Sequence, residues 1–73
     1  MEFIKYIEIN PSKRLGQPSI IGIRISVADV LNWLASGMSK EEIVYDFPKL
    51  SLESINACLF FAATREKQLG IAS

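Results

Sequence analysis

Three serines set the shape of this chain. Ser26, Ser39 and Ser51 each follow an apolar residue and open a stretch of helical periodicity, the pattern of a helix N-terminus. Each hydroxyl can accept from an otherwise orphaned amide of the first turn, and the pairs Ile25/Val30, Met38/Ile43 and Leu50/Ile55 have the spacing of a hydrophobic staple. Asp29 and Glu42 stand three residues after the first two serines, as a capping box requires. Ser54 takes that place after Ser51, with Glu53 one position earlier, which makes the third start the weakest. Gly37 can take the left-handed conformation that ends a helix, Pro48 bars helical geometry at Phe47, and Gly70 closes the last segment. The spacing predicts helices over Val27–Ser36, Lys40–Asp46 and Leu52–Leu69.

Connections this short force three such helices to pack together. A chain of 73 residues makes one small domain, and a core of that size buries only about 60% of the surface its unfolded form exposes. Its hydrophobic fraction of 49% is nevertheless that of a globular protein, so the chain is expected to fold, with a partner adding to a marginal core. Within residues 1–73, the first 25 read as a β-strand arm or hairpin and 26–70 as the trihelical part. Phe3–Ile9, rich in isoleucine and aromatics and ended by Asn10-Pro11, reads as a strand. Ser19–Ile25 reads as two short extended pieces hinged at Gly22, with Ile20, Ile21, Ile23 and Ile25 as apolar cover and Arg24 projecting outward. The fold class is mainly α with short N-terminal β-strands, a three-helix helix-turn-helix bundle.

Charge narrows the functional classes. Eight basic residues balance eight acidic ones, so the long-range attraction that a basic domain offers to nucleic acid is missing. Residues 31–53 carry two basic and four acidic side chains. The adjacent pair Lys13-Arg14 lies in a polar loop, either solvated or a binding element. With a single cysteine, no histidine and no glycine-rich phosphate loop, no catalytic constellation can be assembled, and Glu41-Glu42 with Asp46 read as a solvated helix face rather than a metal site. No enzyme activity, metal or cofactor is expected. The lack of a basic-then-apolar leader points to the cytoplasm, and the longest apolar run is far shorter than the roughly 20 residues that span a bilayer.

The first helix places Val27, Val30, Leu31 and Leu34 on one stripe, with Trp33 beside it as a core-edge residue or an exposed anchor. In the second, Ile43, Val44 and Phe47 face inward. Gly37-Met38-Ser39 has the length and chemistry of the turn in a helix-turn-helix, a motif also found in proteins that never touch DNA. If the third helix enters a major groove, Ser51, Glu53, Ser54 and Asn56 are the base-facing residues, with Asn56 able to pair with adenine, and Arg24, Lys40 and Lys49 are the cations near the backbone. The run Ala57–Ala63 covers the whole circumference of that helix with apolar side chains. One small domain cannot cover every side of it, so Phe60 or Phe61 is expected to meet another chain, with Phe3, Tyr6 and Trp33 as further interface residues. The alternative is that the N-terminal strands cover the far side.

Taken in order, Gly16-Gln17-Pro18, Ile21-Gly22-Ile23-Arg24-Ile25, Val27…Val30-Leu31, Gly37-Met38-Ser39, Glu42-Ile43, Asp46-Phe47-Pro48-Lys49-Leu50, Ile55-Asn56-Ala57 and Phe61-Ala62-Ala63 resemble domain-of-unknown-function family 433. That resemblance implies a homeodomain-like helix-turn-helix, an antitoxin-like role as a DNA-binding repressor, and neutralisation of a partner toxin of the PIN-nuclease type. Gln17 stands where the family usually has lysine, and Ile21-Gly22-Ile23-Arg24 where it has Arg-Gly-Thr-Arg, so a basic group and polar donors are missing here. The expected partners are a second copy in a homodimer, a toxin protein and double-stranded DNA, with no membrane; the competing expectation is a protein-interaction module that binds no DNA.

Overall fold

The computed structural model describes residues 5–10, 12 and 16–68. The sequence readings on Phe3, Lys13, Arg14 and Gly70 lie outside them. Two short strands precede three helices: β1 (Ile7–Glu8), β2 (Ser19–Ile20), α1 (Val27–Ala35), α2 (Lys40–Asp46) and α3 (Leu52–Gln68). Within the described residues, the strand expected over Phe3–Ile9 is reduced to β1, with Lys5 and Tyr6 outside it. β1 and β2 pair antiparallel, Ile7 opposite Ile20 and Glu8 opposite Ser19.

The hinge at Gly22 is real and folds the chain back beside β2. Gly22 has φ +85°, and the chain folds back so that Ser19 bridges Ser26, while the Ile20 amide donates to the Ile25 carbonyl at 2.9 Å and the Val27 amide to the Pro18 carbonyl at 3.0 Å. Ile20 is buried by this and Ile23 and Ile25 pack on the core, but Ile21 turns to solvent at 48% exposure, so it does not cover the helices as its neighbours do.

All three serine caps form. Ser26 Oγ accepts from the Asp29 amide at 3.0 Å while the Asp29 carboxylate accepts from the Ser26 amide, also at 3.0 Å. Ser39 and Glu42 repeat this reciprocal arrangement at 3.1 and 2.8 Å. At the third start a hydroxyl stands in for the carboxylate: Ser51 Oγ accepts from the Ser54 amide at 3.1 Å and Ser54 Oγ accepts from the Ser51 amide at 2.9 Å. The stops are equally local. Gly37, at φ +106°, donates to Leu34, and Met38 donates to Trp33, both at 3.1 Å, the paired bonds of a Schellman motif that satisfy the last carbonyls of α1. After α2 the Leu50 amide closes the Phe47-Pro48-Lys49 turn onto Phe47 at 2.8 Å.

The staple residues are the core. Val30, Ile43, Leu50 and Ile55 are buried with Ile7, Ile20, Val27, Ala57 and Cys58, and Ile25 and Met38 pack against them from the edge. α1, α2 and β1 all pack on α3. Trp33 stacks on Phe47 with centroids 4.4 Å apart and planes 8° from parallel, clamping α1 to the end of α2. No helix among the described residues is long and apolar enough to cross a membrane.

Candidate functional site

The exposed side of α3 collects most of the candidate residues. Ser54, Ile55, Ala57 and Cys58 face inward and are buried, so a helical repeat of 3.6 residues leaves the opposite side of α3 turned outward. Leu52, Leu59 and Phe60 emerge there at 43%, 38% and 42% exposure, together with exposed Glu53, Asn56 and Ala63. The apolar circumference predicted for this helix is thus buried on one side, while Phe60 on the other stays exposed. Phe61 goes the other way: it is half-buried, packs on the core and lines an open groove of about 380 Å³ with Val27, Ala28 and Leu31 of α1 and Ala62 and Arg65 of α3.

The DNA-facing set divides. Lys40 Nζ donates to Asn56 Oδ1 at 2.8 Å, joining the start of α2 to the outward side of α3. Arg24 and Lys49 line a second groove, between the Gly22 turn and the end of α2, where Asp46 sits with them. Ser51 is half-buried and its hydroxyl is occupied by the cap. Ser54 is a correction to the sequence reading: at 4% exposure it faces inward, and its hydroxyl donates to the Ser51 carbonyl at 2.8 Å as well as accepting from the Ser51 amide, so no base edge can reach it. A side chain one turn into α3 cannot both close the cap from inside and read a groove from outside.

Of the remaining interface residues, Tyr6 is half-buried against the core, and Trp33 takes the core-edge position of its two readings. Sequence reasoning passed over Leu52 and Leu59, which a helical wheel centred on the four buried positions Ser54, Ile55, Ala57 and Cys58 places on the outer flank. It also passed over Tyr45, at 85% exposure beside Glu41, Glu42 and Asp46. Cys58 is buried among apolar side chains, and desolvation pushes its thiol up to about 11. It is therefore protonated and inert at neutral pH. Among the described residues no group of three or more His, Cys, Asp or Glu is placed to hold a metal.

Fold and surface together define a small trihelical protein, introduced by a two-stranded ribbon, whose polar residues close helix ends and whose last helix shows an apolar flank. The chain belongs to the family of proteins of unknown function DUF433, whose model matches residues 7–62. No curated protein and no solved structure matches it.

Proposed function

We propose that this chain is a non-enzymatic, antitoxin-like protein of helix-turn-helix build that acts in the cytoplasm by binding macromolecules, with protein association through the outward flank of α3 as its primary activity. One observation carries this reading: Leu52, Leu59 and Phe60 stay exposed on a helix against which three other elements already pack. Exposed apolar side chains grouped on one helix flank are the signature of an interface rather than of a solvated surface. The burial of Cys58 and the absence of histidine favour a binding role over catalysis. A toxin protein is the partner that the family resemblance brings to this surface. Co-expression with the product of the adjacent gene tests it: the two should purify together, and Phe60→Glu should abolish this. Co-purification insensitive to Phe60→Glu, in a chain that also fails to self-associate, overturns the reading.

DNA binding by a repressor is the second reading, favoured by the contact between Lys40 and Asn56, which prepositions an asparagine on the exposed side of α3. Against it stand Glu53 on the same side and the zero net charge. A gel shift at low salt with the DNA upstream of the gene decides: binding weakened by Asn56→Ala and Lys49→Ala supports it, and no binding removes it.

A further inference from the structure

We infer that the outward flank of α3 is a self-complementary surface on which a second copy of this chain docks antiparallel about a two-fold axis at Phe60; this rests on the association reading above. Glu53, Asn56, Phe60, Ala63 and Lys67 follow one another at i, i+3, i+7, i+10 and i+14, and all five are exposed. They form one line along a 17-residue helix, a seam on which a second helix can lie, with Phe60 and Ala63 as its apolar middle and charged residues at its ends. Its ends are oppositely charged and equidistant from its centre: Glu53 and Lys67 each lie seven residues, roughly 10 Å, from Phe60. Antiparallel pairing about Phe60 sets each Glu53 opposite the Lys67 of the other copy, twice by symmetry, and brings the two phenylalanine rings together. Parallel pairing would instead set glutamate on glutamate and lysine on lysine.

Other features agree with a second copy as the occupant. The chain has no net charge, so two copies meet without long-range repulsion. The contact is a single helix pair about 25 Å long, which places it below about 1,200 Å² and in the class of reversible dimers.

Sedimentation at low salt, across a concentration series reaching about 1 mM, tests the inference on the full chain. The wild type should show a monomer–dimer equilibrium. E53K alone and K67E alone each place like charges opposite one another twice and should weaken the dimer by on the order of tenfold. An equimolar mixture of the two single variants, and the E53K/K67E double variant, should restore it. E41K, which changes net charge equally on α2 and off the seam, should leave it within about twofold. Circular dichroism confirms that each variant is folded. A dimer indifferent to the swaps overturns the antiparallel pairing while leaving association through α3 intact. A wild type that stays monomeric throughout overturns the second copy as occupant, and the adjacent-gene experiment then decides the association reading separately.

Discussion

Phe60→Ala separates two contributions of one aromatic ring. Burying a phenylalanine completely is worth about 1.5–3 kcal/mol, so at 42% exposure about 0.6–1.3 kcal/mol of that remains unrealised in the single chain and about 0.9–1.7 kcal/mol is already part of the fold. When two copies pair about Phe60, both rings complete their burial. Truncation therefore removes about 1.3–2.5 kcal/mol from the dimer, a loss of about ten- to seventyfold in Kd. The buried fraction predicts a separate fall in monomer Tm of about 4–14 °C, since a domain this small loses about 4–8 °C per kcal/mol. Sedimentation equilibrium reads the first quantity, and thermal circular dichroism well below the dimer Kd reads the second. If Tm falls as stated while Kd moves by less than about threefold, the exposed edge of the ring faces water in the dimer as well and the reasoning fails.

Two further outcomes test the fold beneath the surface. Gly37→Ala should destabilise the chain by about 1–2 kcal/mol in urea denaturation, although nothing lies within 4 Å of the added methyl, because the cost is that of φ +106° for a residue with a Cβ rather than of a collision. Cys58 gives a signed pH dependence. Its thiol ionises from about 9.0 in the unfolded chain but only at about 11 in the fold, so above pH 9 the unfolded state sheds this proton first. The contribution is complete below pH 9 and is lost as pH rises towards 11, and Cys58→Ala should flatten that part of the stability curve relative to the wild type.

Helix positions were legible because the signals for them are local. A serine hydroxyl, a carboxylate three residues on and a glycine past the end decide a helix boundary within one turn, and Lys40–Asp46 is reproduced to the residue. Ser54 shows the limit of that logic: a cap assigned by residue type seemed incomplete without a carboxylate, yet a buried hydroxyl supplies the same acceptor and adds a bond of its own to the Ser51 carbonyl. Its burial also withdrew it from the exposed set, which periodicity alone could have shown, since Ser54 falls one turn before the buried Cys58. What the sequence could not show was pairing between distant residues. That Lys40 reaches Asn56, or that Trp33 finds Phe47, depends on how α2 crosses α1 and α3, and no spacing rule encodes that.

The two readings of α3 compete for one surface, and the competition has a direction. Asn56 is both the best base-reading residue and a seam position of the proposed dimer, three residues from Glu53 and four from Phe60. A second copy seated on the seam hides Asn56, so pairing through α3 and insertion of α3 into a groove exclude one another. DNA binding by this helix then belongs to the monomer, and raising protein concentration past the dimer Kd must lower the fraction of chains competent to bind. A conventional dimeric repressor behaves in the opposite way, because pairing elsewhere on the molecule presents two reading helices at once. The concentration dependence of a gel shift, beyond its mere presence, therefore reports which face of this small domain holds its partner.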